Sequence, residues 1–279
     1  MDPEDRYEYI DDLSVLELVM MTGLLHQYNY HDHVPSDIAT DQLYLHPSSF
    51  NTQNTLDSIS AWTTQNLMKI NEEKSNYIIF SRCKESFATR LTLNNVKLDQ
   101  LNVTKILGIW LSEDLSWARN TREVCVKGYA RMSLITKLKY VGVHTEDLID
   151  VYKLFIRSLL EYCSVAFHSS LTQENTQDLE RVQKTCLKVI LGDEYESYPS
   201  ALESCGLETL HARRESRCLN FALKCVKHPV NSRLFPLNEA PVNNLRKTEK
   251  FVVNFARTSA YQNSTIPYCQ KLLNSHHSS

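Results

Sequence analysis

The run from Leu115 to Ile135 reads LSWARNTREVCVKGYARMSLI. Trp117, Thr121, Val124, Cys125, Gly128, Met132 and Ile135 recur at steps of three and four, the period of one helix face. Arg119, Arg122, Lys127 and Arg131 occupy the positions between. A long amphipathic helix is therefore expected here, and it divides the chain. Strand signals lie before it and helical signals after it.

Upstream, residues 52–70 carry Leu56, Ile59, Trp62, Leu67 and Ile70 at helical spacing. The period then changes. Asn76–Ser81 predicts a strand through Tyr77-Ile78-Ile79-Phe80. Leu91 and Leu93, then Val96 and Leu98, flank Asn94-Asn95, a pair that tolerates the left-handed backbone of a tight hairpin. Val103 to Leu111 predicts one more strand, with Gly108 inside it as a bulge or a close backbone approach. The apolar run 13–25 fits a strand leading into a short helix, and 26–50 a surface loop.

Downstream, Thr145 is expected as an N-cap, with Glu146 and Asp147 in the first turn. Leu148, Val151, Tyr152, Phe155 and Leu159 form the next stripe. Leu179, Val182, Cys186 and Ile190 form another, stopped by Gly192. A helix from about Glu208 to Lys227 places Leu210, Arg214, Phe221 and Cys225 on one side, and Pro229 follows it. The remainder is mixed and polar, with one short helix expected around 247–258.

Composition is that of a globular protein, with 42% hydrophobic and 23% charged residues and only six Gly and eight Pro. A formal net charge of −3 confines any nucleic-acid contact to a local patch. Residues 119–157 hold such a patch: Arg119, Arg122, Lys127, Arg131, Lys137, Lys139, Lys153 and Arg157 stand against four acidic residues, a local net of +4. A stripe of this kind can track a phosphate backbone, and an ordinary solvated helix face is the other reading. His211, Arg213, Arg214 and Arg217 form a second basic cluster, interrupted by Glu208 and Glu215.

The eight cysteines include no C-x-x-C pair and read as free thiols on helix faces. Cys218, Cys225 and His228 are too loosely spaced for zinc. Neither a signal peptide nor an apolar run of membrane-spanning length is seen. An intracellular protein, nuclear or cytoplasmic, neither secreted nor in a membrane, is expected.

Tyr9-Ile10-Asp11-Asp12 is a Y-x-D-D motif. Adjacent aspartates at a tight turn can hold the divalent metals that nucleotide transfer uses, but four residues alone also describe a surface turn. Further stretches join it in order: Leu13-Ser14-Val15-Leu16-Glu17, Trp62 to Asn71, Lys74-Ser75, Tyr77-Ile78-Ile79-Phe80, and Lys105-Ile106-Leu107-Gly108-Ile109-Trp110-Leu111 with Asp114, Leu115 and Trp117. Tyr162-Cys163, Phe167-His168, Leu179-Glu180-Arg181-Val182-Gln183-Lys184 and Leu207 to Arg214 continue the series. Together they resemble the reverse transcriptases of non-LTR retrotransposons, especially those like the jockey element, over nearly the whole chain.

The resemblance implies an α+β chain in three parts. Residues 1–112 would be the C-terminal part of an incomplete polymerase palm, short antiparallel strands plus a helix. Residues 113–229 would be a mostly α-helical, thumb-like region, and 230–279 a C-terminal tail. It further implies that Asp11 and Asp12 bind Mg²⁺ and that Lys74 protonates the leaving pyrophosphate. Leu107 and Gly108 would lie in a hairpin region near the primer end. Arg119, Arg122, Lys127, Arg131, Lys137 and Lys139 would contact an RNA template and DNA primer.

Such polymerases take another metal-binding aspartate, and their fingers, from segments before the Y-x-D-D motif. Only ten residues precede Asp11. A truncated reverse transcriptase is therefore expected, inactive alone unless the missing portion is supplied in trans. The alternatives are a non-catalytic helical module that binds nucleic acid and an inert translated remnant.

Overall fold

The computed structural model describes residues 52–67, 70–72, 75–79, 90–238, 249–253, 255–256 and 258–278. The described chain is mostly helical with a few short strands, an α+β protein in the general sense. It separates into two compact units that meet in sequence between Ser116 and Trp117, a few residues beyond the expected boundary. No described helix is long and apolar enough to cross a membrane.

The smaller unit contains α1 (Thr52–Gln65), β1 (Asn76–Tyr77), β2 (Thr92–Leu93), β3 (Val96–Lys97), β4 (Asp99–Gln100), β5 (Val103–Ile106) and β6 (Ile109–Ser112). Leu91, Leu93 and Leu98 are buried, with Leu56, Ile70 and Tyr77 packed on them. Gln53 joins α1 to this core like an extra strand residue. Its Nε2 donates to the Thr92 carbonyl at 2.8 Å and its Oε1 accepts from the Thr92 N–H at 3.0 Å. The β2–β3 hairpin turns on Asn94 and Asn95, at φ 51° and 65°, as the Asn-Asn pair predicts.

Several expectations change in this unit. The strand foreseen over Val103–Leu111 is a hairpin, with β5 and β6 antiparallel around Leu107 (φ 48°) and Gly108 (φ 88°). Two left-handed residues in succession make a turn, and a bulge needs only one. Of the strand expected at Asn76–Ser81, only Asn76–Tyr77 is strand among the described residues 76–79, and its pairing with β4 is parallel rather than antiparallel. The first helix stops at Gln65. Leu67 lies beyond it at φ 56° and fully in solvent, and Trp62 is also exposed, so neither serves the expected inward stripe.

The larger unit begins with α2 (Ala118–Tyr140). Asn120, Thr121, Cys125, Gly128, Met132 and Ile135 are its buried residues, and Trp117 packs on Phe167 with ring centroids 5.6 Å apart. Next come α3 (Thr145–Val151), a π-helical turn (Tyr152–Arg157) and α4 (Ser158–Leu160). His144, in extended conformation, is the N-cap, and Thr145 is the first helical residue instead of the cap. The π turn shifts the buried face of this segment. One extra residue per turn moves the inward face on by one position. Ile156 and Leu160 are thus buried where an α-helical stripe would bury Phe155 and Leu159.

α5 (Ser164–Phe167), α6 (Gln173–Leu191), α7 (Tyr198–Ser204) and α8 (Leu210–Lys227) complete the core. The hydroxyls of Thr172, Ser197 and Thr209 each accept a free N–H in the first turn of α6, α7 and α8, from Asn175, Ser200 and Ala212. Gly192 ends α6 at φ 62°, as expected.

The segment set apart as a tail belongs to this core. Phe235, Phe251, Cys269 and Leu273 are buried with Cys218, Ala222 and Cys225 of α8. Two helices, α9 (Ser259–Gln262) and α10 (Thr265–Ser278), lie after the stretch expected to be helical. Asn274 of α10 grips the backbone of Phe251, accepting its N–H at 2.9 Å and donating to its carbonyl at 3.0 Å.

α2 and α6 cross at Gly128. A Cβ there would meet Val182 Cγ1 at 2.9 Å and Leu160 Cδ2 at 3.5 Å. Gly128→Leu is expected to destabilise the protein by about 1–3 kcal/mol through overpacking, seen as a lower urea midpoint. An unchanged midpoint would mean that the crossing is looser than these distances.

Candidate nucleic-acid interface

Asp11, Asp12 and Lys74 lie outside the described residues, and the expected Mg²⁺ position lies with them. Among the described residues no group of three or more His, Cys, Asp or Glu side chains could hold a metal ion. What remains to be placed is the basic stripe of α2.

Two of its six members are committed to the fold. Arg131 donates from Nη1 to the Phe155 carbonyl in the π turn at 2.6 Å, and its guanidinium lies over the Phe155 ring at 4.7 Å. Lys139 donates from Nζ to the carbonyls of Val189 and Ile190 at 2.9 and 2.8 Å. Those carbonyls end α6, where a helix lacks its own donors and carries partial negative charge. Gly192 makes this approach possible, because a Cβ there would stand 2.6 Å from Lys139 Nζ.

Arg119 pairs with Glu123 one turn on, at 3.0 Å. Arg122 lines a groove of ≈ 380 Å³ together with Val126, Tyr129, Glu174, Asp178 and Arg181. Arg181 is paired with Asp178 at 2.6 Å. Lys127 and Lys137 are exposed, and their side chains make no hydrogen bond or ion pair among the described residues. The stripe thus offers Arg122, Lys127 and Lys137 to a ligand, half of what the residue types suggest.

The second cluster separates in the same way. Arg214 is fully buried and donates from Nε to His168 Nδ1 at 3.4 Å. That bond assigns the His168 proton to Nε2, beside the Tyr268 hydroxyl at 3.3 Å, which also reaches Glu215 at 3.3 Å. His211 meets the His168 ring edge-on at 5.0 Å. Burial, then the neighbouring Arg214 charge, then His211 push the His168 pKa down to about 3. Burial likewise lowers Arg214, against the pull of Glu180 and Glu161. Arg213 and Arg217, one helical turn apart on α8, instead converge on Glu161.

A network the sequence did not announce lies beside these groups. Gln183 is fully buried, accepts from the Tyr152 hydroxyl, and donates to Tyr198 Oη at 2.8 Å and to the Glu208 carbonyl at 3.0 Å. Glu180 accepts from the Tyr198 hydroxyl and from the Leu210 N–H at 3.2 Å. Burial pushes the thiols of Cys125, Cys163 and Cys225 up to about 11 and Cys186 up to about 12, which keeps them protonated and unreactive.

Compared with family models, with curated proteins and with solved structures, the chain matches none.

Lys139→Met is expected to lower stability by about 1–3 kcal/mol, through loss of charge-assisted bonds to two helix-end carbonyls, with little change in nucleic-acid affinity. Chemical denaturation and binding measured on the same variant check both halves. His168 supplies a second test. Its folded pKa of about 3 lies below the ordinary 6.5, so the unfolded chain takes up the proton first. The stability it contributes is complete above about pH 6.5 and is lost as the pH falls towards 3, by about 1.4 kcal/mol per unit. Urea midpoints between pH 7.5 and 5 should fall more steeply for the wild type than for His168→Gln. Equal slopes would refute this assignment.

Proposed function

We propose that this chain is the distal part of a reverse transcriptase of the non-LTR retrotransposon type, whose helical unit serves as a thumb-like holder of nucleic acid. One observation carries the reading. Leu179–Lys184 and Leu207–Arg214, two of the stretches on which the resemblance rests, meet in the buried network of Glu180, Gln183, the Glu208 carbonyl and the Leu210 N–H. The residues that look familiar in sequence are therefore partners in space, as parts of one inherited module would be. The exposed Arg122, Lys127 and Lys137 give α2 a cationic side.

Binding is the reading that described residues support, through the exposed cations of α2. Polymerisation would call, with Mg²⁺, on Asp11, Asp12 and Lys74, which lie outside the described residues.

The test is binding of a labelled RNA–DNA hybrid by the full chain over a range of salt. The affinity should fall with salt. Arg122→Ala, Lys127→Ala and Lys137→Ala together should flatten the log–log slope by roughly two to three, at about 0.9 for each phosphate no longer neutralised. Equal and salt-independent binding by wild type and variant would discard the reading. Mg²⁺-dependent primer extension by the isolated chain, abolished in Asp11→Ala, would replace it with a catalytic one.

A further inference from the structure

Two guanidiniums close on one buried carboxylate in the helical unit, and a third arginine stands one helical turn before it. Glu161 follows α4 and is 1% exposed at its side chain. It accepts from Arg213 Nε at 2.5 Å and Nη2 at 3.2 Å, and from Arg217 Nη2 at 2.9 Å. Arg157, at the end of the π turn, is the third cation. Its side chain makes no hydrogen bond or ion pair among the described residues, while its carbonyl accepts the Glu161 N–H at 3.0 Å. Burial lowers its pKa first and the nearby Arg213 next, with Arg217 adding to the effect, while Glu161 opposes them.

The charges do not balance. Glu208 comes only within 4.0 Å of Arg213, and its side chain is 66% exposed, so it offsets little. A structural bridge between two helical segments would need one arginine, or two. The third raises the electrostatic energy of the empty cluster and does no bonding there. Meanwhile the cluster is open to solvent, with the Arg217 side chain 48% exposed and that of Arg213 26%.

We infer that Arg157, Arg213 and Arg217 form a phosphate-binding site, held in shape by Glu161, that receives a backbone phosphate of nucleic acid. Guanidinium forks match the spacing of phosphate oxygens and keep their charge at every working pH. Glu161 fixes two of the forks before the ligand arrives, which lowers the ordering cost of binding. An entering phosphate supplies the anion that Arg157 lacks. That the phosphate belongs to nucleic acid rests on the function proposed above. The anion site itself rests on the cluster.

The experiment uses the full chain with two probes, a labelled RNA–DNA hybrid and inorganic phosphate. Arg157→Gln breaks no ion pair and removes a repelled charge, so its thermal midpoint should be no lower than that of the wild type. Its affinity for the hybrid should drop several-fold at every sequence, with the salt slope reduced by about one. In the wild type, arginine Nε–H resonances followed by NMR should shift as the hybrid is added, a reading that needs no variant. If Arg157→Gln binds the hybrid as the wild type does, while the Arg122, Lys127 and Lys137 variant does not, the cluster assignment falls and the proposed function stands. If inorganic phosphate shifts the arginine signals and the hybrid does not, the site takes a small phosphate ligand, and the nucleic-acid reading fails. If neither probe moves them, the site is overturned.

Discussion

Gln183 has no contact with solvent, so its amide must find every partner inside the protein. Its oxygen accepts from Tyr152 in the π turn. Its two N–H groups go to Tyr198 on α7 and to the Glu208 carbonyl just before α8. The Tyr198 proton passes on to Glu180, one turn before Gln183 on α6, and Glu180 also receives the Leu210 N–H. Each proton is used once and each bond has a donor and an acceptor. Four segments can satisfy this pattern in only one mutual arrangement. Removing any member would strand a buried polar group, at about 1–3 kcal/mol. The apolar packing of α6 through Leu179, Val182, Cys186 and Ile190 supplies the larger driving force. The network selects which packed arrangement that force stabilises.

The π turn is part of the same constraint. Tyr152 opens it, and the extra residue it accommodates turns Ile156 and Leu160 inward and leaves Phe155 on the surface. Arg131 then covers the exposed ring and takes the Phe155 carbonyl. At its far end the turn presents Arg157, with Glu161 one helical turn further on. A local change of helix pitch thereby decides both which apolar residues enter the core and where three guanidiniums meet.

Much of the fold is legible in the sequence where one periodicity runs unbroken. The faces of α2 and α6, the Gly192 stop and the Asn94-Asn95 hairpin follow from spacing and turn chemistry alone. Legibility ends where the signal is not local. No residue type marks the π turn, and an α-helical stripe extrapolated through it selects Phe155 and Leu159 wrongly. Leu107 at positive φ is unusual for a branched aliphatic side chain, so nothing in the sequence separates β5 from β6 except Gly108. The segment after Asn231 reads as polar because its buried residues, Phe235, Phe251, Cys269 and Leu273, are widely spaced and meet only on α8. Asp11, Asp12 and Lys74, the most specific chemistry suggested by resemblance, lie outside the described residues.

The basic residues show why charge counted along a helix overstates charge available to a ligand. A cation beside a helix end or a π turn finds carbonyls that already carry negative potential, and binding them costs no encounter with a partner. Lys139 and Arg131 are used in this way, and Arg119 is held by Glu123. Arg157, Arg213 and Arg217 differ in geometry rather than in type. They come from segments more than fifty residues apart; Arg213 and Arg217 share a single buried carboxylate, and Arg157, one turn before it, makes no ion pair among the described residues. Proximity of like charges is tolerated in a fold when the rest of the structure is firm enough to impose it. Here the firmness comes from the packing of α8 on α6 and from the Gln183 network beside it. The surplus lies around Glu161, in addition to the exposed cations of α2, and a count of lysines and arginines along α2 does not register it.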